Sequence, residues 1–126
     1  MEERIKSENK LELVIQLVPE TGESNYQYVI IDHENAEAIS IDCFDPKRVE
    51  NVISENGEKL IGSFATHHHW DHIGGISVLK EKHGEMEIVG GDKRIKHLSK
   101  MVSDGEYSIG RRLTYRALET PCHTTG

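Results

Sequence analysis

The sequence lacks several features that define large classes of protein. It contains only two cysteines, Cys43 and Cys122, among 126 residues, which is too few for the disulfide framework of a small secreted domain. Its apolar runs are short, and none approaches the roughly 20 residues that a helix needs to cross a bilayer. These absences exclude a disulfide-stabilised scaffold and predict that no helix of this sequence spans a membrane.

Positive charge is scarce as well. Fifteen Lys and Arg residues oppose 22 Asp and Glu residues, which leaves a formal net charge of −7, whereas a generic nucleic-acid-binding protein presents a basic surface. The segment 1–6 includes acidic side chains and has no apolar stretch, so it fits neither a transit peptide nor a signal peptide. We therefore expect a cytoplasmic protein that binds neither nucleic acid nor a membrane.

The first part of the chain has the period-two pattern of strands. Residues 1–10 are polar and predict a loose leader, and residues 11–126 predict a single domain. Alternating apolar residues predict three strands, over 11–18, 26–32 and 38–42. Asp45 followed by Pro46 then predicts a helix start, because aspartate caps free N–H groups and proline suits the first helical turn.

Helices and strands alternate after that start. The patterns predict strands at 60–66, 86–89, 107–109 and 113–118, and helices that end near residues 56, 84 and 100, the last one covering 93–100. A sheet that begins with consecutive strands and continues with alternating helices and strands indicates a mixed α/β layered fold.

A histidine cluster is the most distinctive feature of the sequence. Four of the eight histidines lie in the segment 67–72, which reads His-His-His-Trp-Asp-His. Successive side chains of an extended chain point to opposite faces, so His67, His69 and Asp71 would share one side at the end of a strand. Two imidazoles at this spacing supply half of a tetrahedral zinc site, and the adjacent Asp71 and His72 offer ligands for a second ion.

Three further segments accompany this cluster along the chain. Residues 25–28 read Asn-Tyr-Gln-Tyr, residues 89–95 read Val-Gly-Gly-Asp-Lys-Arg-Ile, and residues 120–126 read Thr-Pro-Cys-His-Thr-Thr-Gly. Together with the His-x-His-x-Asp-His motif, they resemble the metallo-β-lactamase superfamily and, within it, the glyoxalase II (hydroxyacylglutathione hydrolase) family. The resemblance covers about residues 25–126. It implies an α/β fold, the αββα sandwich of that superfamily, of which this chain would form the N-terminal half.

The resemblance also implies the metal ligands. The first metal ion would be bound by His67, His69 and His123, and the second would be bound in part by Asp71 and His72. Asp71 would also be catalytic, orienting the attacking water. The metal would be zinc in a two-metal site, although histidine and aspartate ligands suit iron and manganese too.

Asp42, at the end of the third predicted strand, matches a family aspartate that lies close to the metal-binding loop and is expected to orient a metal ligand. Such a carboxylate fixes the direction of a ligating histidine, whereas the alternative interpretation of Asp42 is a turn residue that ends a strand. A proline usually follows this aspartate in the family, but Cys43 follows it here. We interpret Cys43 as a free thiol in the core.

The implied activity is hydrolysis of a glutathione thioester, S-D-lactoylglutathione, to D-lactate and glutathione. The family's remaining metal ligands and glutathione-binding region follow the position that matches Gly126. We therefore expect an incomplete form that binds at most about one metal ion tightly and hydrolyses the thioester poorly.

Two alternatives stay open. One is another enzyme of the superfamily, such as a persulfide dioxygenase with a single iron or a lactonase. The other is a catalytically inactive metal-binding or interaction module. The Asp71–His72 pair next to Trp70 favours the thioester hydrolase.

Overall fold

A seven-stranded sheet forms the centre of the molecule. The structure is a computed structural model that describes residues 2–18, 25–55, 57–65, 70–91, 95 and 97–118. The strands of the sheet follow one another in chain order, and a separate two-stranded hairpin comes after them. The sheet strands are β1 (Glu2–Lys6), β2 (Leu11–Val18), β3 (Asn25–Asp32), β4 (Glu37–Ile41), β5 (Lys59–Ala65), β6 (Glu87–Gly90) and β7 (Lys100–Met101), and the hairpin strands are β8 (Gly105–Ile109) and β9 (Leu113–Ala117).

Two helices connect the parallel strands, α1 (Pro46–Ser54) between β4 and β5 and α2 (Trp70–Lys82) between β5 and β6. The pairs from β1 to β4 are antiparallel, and those from β4 to β7 are parallel. Parallel neighbours need such crossovers, whereas antiparallel neighbours need only short turns. Among the described residues, neither helix combines the length and the apolar character that crossing a bilayer requires.

One face of the sheet packs against the two helices and forms the main core. Val14 of β2 lies opposite Val29 of β3, and both are fully buried on this face. The cluster includes the apolar side of each helix, with Val49, Val52 and Ile53 from α1 and Ile76 and Leu79 from α2. The strands predicted over 11–18 and 26–32 are confirmed as β2 and β3. In β2, however, the more buried side chains are Glu12, Val14 and Gln16, on the opposite side from the alternating Leu and Ile residues.

The opposite face of the sheet is partly covered by the β8–β9 hairpin. Ile109 and Leu113 of the hairpin are buried in one cluster with Ile39 of β4. The Phe64 and Tyr115 rings meet edge to face at 4.7 Å between centroids. Gly62 makes room for this contact, because a Cβ atom at that position would lie 2.6 Å from Ile109 Cδ1. The layers are thus helices, sheet and hairpin.

The prediction of a loose leader is wrong for the described residues 2–10. Glu2–Lys6 form β1, which pairs with β2 along its whole length. The Arg4 guanidinium also donates two hydrogen bonds of 2.8 Å to the Glu55 carboxylate at the end of α1. Because β1 exposes charged side chains at the edge of the sheet, it discourages pairing with another chain. The domain boundary at residue 11 stays a prediction.

The predicted helix over 93–100 is also wrong in the part that the structure describes. Lys100 begins β7, which pairs with β6, and His97 adopts a left-handed backbone conformation with φ of 64°. The Ser99 N–H donates to the Ile88 carbonyl at 2.9 Å, and the Val102 N–H donates to the Gly90 carbonyl at 2.9 Å. Hydrogen bonding to the open edge of β6 therefore replaces the helical hydrogen bonds that the local pattern predicted.

Candidate functional site

The parallel strands bring three chain segments of the predicted site to one end of the sheet. β4, β5 and β6 are neighbours and run in the same direction, so their carboxyl ends meet at a single edge. Asp42 follows β4, residues 66–69 follow β5, and Gly91 follows β6. Ligands of open α/β sheets bind outside the carboxyl ends of such strands. We call this edge the site end of the sheet.

Asp42 is placed beside the end of β5. Its N–H donates a hydrogen bond of 2.8 Å to the Phe64 carbonyl. Its φ of 52° lies in the left-handed region, which aspartate tolerates better than most residues that carry a Cβ. Asp42 is 9% exposed. The chain therefore turns sharply at Asp42, next to Phe64 of β5. In the sequence, His67 follows Phe64 by three residues.

The histidine motif connects β5 to α2. β5 ends at Ala65 and α2 begins at Trp70, so Asp71 and His72 belong to the first turn of a helix. The expectation that Asp71 continues the extended alternation of His67 and His69 is therefore wrong. The side chains of Asp71 and His72, and the whole of His67, His69 and His123, lie outside the described residues.

The start of α2 lies against the segment that follows β4. A Cβ atom added at Gly75 would lie 2.7 Å from the Cys43 carbonyl oxygen and 2.8 Å from the Cys43 Sγ. Positions 71 and 72 precede Gly75 by about one helical turn. The helix that carries Asp71 and His72 therefore packs, through Gly75, against the backbone that follows Asp42.

The segment after Asp42 is fixed at both of its ends. Asp45 caps α1, because its carboxylate accepts a hydrogen bond of 3.0 Å from the Lys47 N–H, which confirms the predicted helix start. The Gln27 side chain of β3 accepts hydrogen bonds from the Phe44 and Asp45 N–H groups. The sequence interpretation missed Gln27, although a polar residue at a core-facing position of a strand was a signal that could have found it.

Cys43 is the buried, free thiol that the sequence predicted. Burial, together with the negative charges of Asp45 and Glu50, raises the pKa of the Cys43 thiol to about 12. Because the thiolate is the form that attacks substrates, Cys43 is not activated as a nucleophile at neutral pH. Its sulfur fills space between the segment after β4 and α2.

The predicted donors suit a divalent metal ion by their chemistry. Imidazole and carboxylate groups are the usual ligands of zinc and also bind iron and manganese. In the ranges that the structure describes, no group of three or more His, Cys, Asp or Glu side chains is arranged to hold a metal. This agrees with the positions of the predicted donors, whose side chains fall outside those ranges.

Comparisons with known proteins agree with this architecture. The model of the metallo-β-lactamase superfamily matches residues 22–121, which include the histidine motif. A protein named cytoplasmic hydroxyacylglutathione hydrolase from Arabidopsis thaliana is 34% identical over 106 residues, covering 82% of this chain and 41% of its own length. A human hydroxyacylglutathione hydrolase-like protein is 35% identical over 104 residues, covering 82% of this chain and 36% of its own length.

A solved structure shows the same fold. The metallo-β-lactamase from Staphylococcus aureus subsp. aureus COL superposes with a TM-score of 0.74 at 22% identity, covering 92% of this chain and 35% of that one. The chain spans about two fifths of the length of the curated relatives that it matches. The layered sheet and the matched family model lead to one conclusion: the chain belongs to the metallo-β-lactamase superfamily.

Proposed function

We propose that the protein is a metal-dependent hydrolase of glutathione thioesters, with S-D-lactoylglutathione as substrate and D-lactate and glutathione as products. The observation that carries the proposal is the 34% identity over 106 residues to a protein named hydroxyacylglutathione hydrolase. That relative is also named as cytoplasmic, which supports the cytoplasmic location expected from the sequence.

In this proposal the residues of the site end hold the metal ions. His67, His69 and His123 bind the first ion, and Asp71 and His72 contribute to the second. Zinc is the metal proposed first, with iron or manganese as the alternatives. Bound in this way, divalent ions lower the pKa of a water molecule and polarise a carbonyl group.

The protein side chains orient the reacting groups. Asp71 directs a water molecule toward the thioester carbon, whose bond to sulfur breaks as the new bond to oxygen forms. The proton lost by the water neutralises the glutathione thiolate that leaves. Asp42, held beside the end of β5 by the hydrogen bond to Phe64, orients a ligating histidine. No thiol nucleophile is needed, in agreement with the raised pKa of Cys43.

Thiol release from S-D-lactoylglutathione tests the proposal on the 126-residue chain. We expect zinc-loaded protein to release thiol slowly and in a chelator-sensitive manner, and His67→Ala and His69→Ala to abolish the release. His97→Asn is the matched control, because His97 is exposed and its left-handed backbone conformation suits asparagine.

Three outcomes would contradict the proposed activity. Turnover that survives in both histidine variants would place the chemistry elsewhere. Oxygen consumption with glutathione persulfide by the iron-loaded chain, without thioester hydrolysis, would instead identify a dioxygenase. Metal binding without turnover in the zinc, iron and manganese forms would identify a metal-binding module that is catalytically inactive.

A further inference from the structure

We infer that Gln27 is a positioning residue of the metal centre, which it serves by fixing the segment Cys43–Asp45 on which the start of α2 rests. The inference depends on the proposed function, because it assigns Gln27 a role toward metal ions held at the site end. Gln27 lies on β3, and its backbone belongs to neither the predicted metal segment nor α2.

The Gln27 side chain uses its full hydrogen-bonding capacity. Its Oε1 accepts from the Phe44 N–H at 2.9 Å and from the Asp45 N–H at 2.8 Å. Its Nε2 donates to the Asp45 carbonyl at 3.0 Å and to Gln16 Oε1 at 2.8 Å. A primary amide offers two donors and two acceptor lone pairs, so all four are paired.

The complete pairing explains how a fully buried amide is tolerated. Gln27 is 0% exposed, and burial of an unpaired amide would cost free energy. The orientation of the amide is fixed by its neighbour, because Gln16 Nε2 donates to Glu2 Oε1 at 2.9 Å and to the Arg48 carbonyl at 3.2 Å. Gln16 therefore presents its oxygen, and Gln27 must present its own oxygen to the segment after Asp42.

The held segment determines where the start of α2 lies. Gly75 is packed so closely on Cys43 that no side chain fits between them, and a Cβ atom at Gly75 would also lie 3.2 Å from Pro46 Cδ. A shift of the Cys43 backbone would therefore displace α2, together with positions 71 and 72 one turn earlier. Gln27 thus acts on the metal centre through two backbone contacts.

The hydrogen bonds of Gln27, rather than its volume, are expected to matter. Gln27→Met keeps a side chain of similar length but removes the Gln27 oxygen that accepts from the Phe44 and Asp45 N–H groups, which weakens the hold on the segment. Gln27→Glu keeps that acceptor but replaces the Nε2 donor by a second carboxyl oxygen, which retains one O–H donor when protonated and buries a charge when ionised. Ser63→Ala is the matched control, because Ser63 is buried on the adjacent part of the sheet and bonds to Ser40 instead of this segment.

Cobalt binding by the full 126-residue chain tests the inference, with the visible absorption spectrum as the readout of ligand geometry. We expect Gln27→Met to weaken Co²⁺ affinity about 10-fold and to change the spectrum, Gln27→Glu to restore part of the affinity, and Ser63→Ala to leave both unchanged. In the metal-free chain, amide exchange at Phe44 and Asp45 should accelerate in Gln27→Met.

The outcomes separate this inference from the proposed function. If the unsubstituted chain binds Co²⁺ and folded Gln27→Met binds it with equal affinity and the same spectrum, Gln27 is not a positioning residue, although the hydrolase proposal stands. If the unsubstituted chain binds no Co²⁺, both ideas fail. If Gln27→Met does not fold, Gly75→Ala probes the same contact from α2, and unchanged affinity in that variant would overturn the inference.

Discussion

The two ends of the sheet are held together by different kinds of interaction. At the end opposite the site end, which we call the latch end, the fully buried Asp32 carboxylate accepts hydrogen bonds from the Asn35 side chain at 2.7 Å and from Arg112 at 2.9 Å. Arg112 belongs to the β8–β9 turn and also reaches the Asn9 carbonyl. At the site end, the neutral side chain of Gln27 binds the segment after β4, beside the Asp45 carboxylate that caps α1.

The comparison distinguishes the charged side chains that stabilise the fold from those that are proposed to bind metal ions. At the latch end, the charges of Asp32 and Arg112 neutralise each other and join three turns of the chain. At the site end, a neutral amide holds the backbone, so the proposed carboxylate and imidazole ligands are not required for that task.

Removal of the charge at the latch end should cost the most stability. Burial alone would raise the pKa of Asp32, but the hydrogen bonds from Arg112 and Asn35 outweigh it and lower the pKa to about 2. We expect Asp32→Asn to lower the free energy of unfolding by about 2 kcal/mol, measured by urea denaturation. Metal affinity should not change while the variant is folded, and a parallel loss of both would show that the two ends are not separable.

Glu34→Gln serves as the control for that change. Glu34 also faces Arg112, at 3.4 Å, but its side chain is 57% exposed. Exposed ion pairs contribute between about 0 and 1 kcal/mol, so this variant should unfold almost like the unsubstituted chain.

Acid should weaken the latch end over a defined pH range. Because the pKa of Asp32 is lowered from 3.8 to about 2 on folding, its stabilising contribution is complete above 3.8 and is lost as the pH falls toward 2. The stability difference between the unsubstituted chain and Asp32→Asn should therefore shrink across this range. A difference that is constant from pH 5 to pH 2 would contradict the assignment.

Glu58, near the latch end, should show the opposite and smaller dependence. Burial raises the pKa of Glu58, against the opposing effect of His33, while Glu55 and Glu12 raise it further. The contribution of Glu58 is therefore stabilising below its ordinary value of 4.5 and is lost as the pH rises through the raised pKa. We expect Glu58→Gln to unfold at a higher urea concentration than the unsubstituted chain at pH 7, with the gap closing below pH 4.5.

The reactivity of the Cys43 thiol tests how tightly the segment after β4 packs against α2, and it requires no substitution in that segment or in α2. In a Cys122→Ser background, the folded chain should react with a thiol reagent at pH 8 on the order of 10³-fold more slowly than the urea-unfolded chain, because burial raises the pKa of the Cys43 thiol to about 12. Similar rates in the two states would show that the contact between Cys43 and α2 opens readily.

The sequence predicted the parts of the fold that rest on local chemistry. Asp45 and Pro46 identified the start of α1, and the period-two pattern identified β2 and β3 as strands. The pattern did not identify the more buried side of β2, which carries Glu12, Val14 and Gln16. The segment at Lys100 was predicted as a helix but forms a strand, because the open edge of β6 provides hydrogen bonds that no local pattern encodes. The pairing of β1 with β2 was missed for the same reason.

The sequence predicts candidate metal ligands, but it did not point to Gln27, the residue that contacts the segment beside them. The spacing of the histidine motif predicts the donors, whose side chains lie outside the described residues. On either side of the undescribed residues 66–69, β5 ends at Ala65 and α2 begins at Trp70. The role inferred for Gln27 depends on contacts with residues 17 and 18 positions later in the chain. Such contacts arise from the order of the strands, which composition and periodicity do not reveal.

The zinc affinity of the chain, measured by competition with a chromophoric chelator, tests the metal centre most directly. We expect about one tightly bound ion per 126-residue chain, because only the first ion has three protein ligands in the proposed function. His67→Ala and His69→Ala should each abolish tight binding, whereas His97→Asn and Asp32→Asn should preserve it. Tight zinc binding that persists in both His67→Ala and His69→Ala would contradict a metal centre at the site end of the sheet.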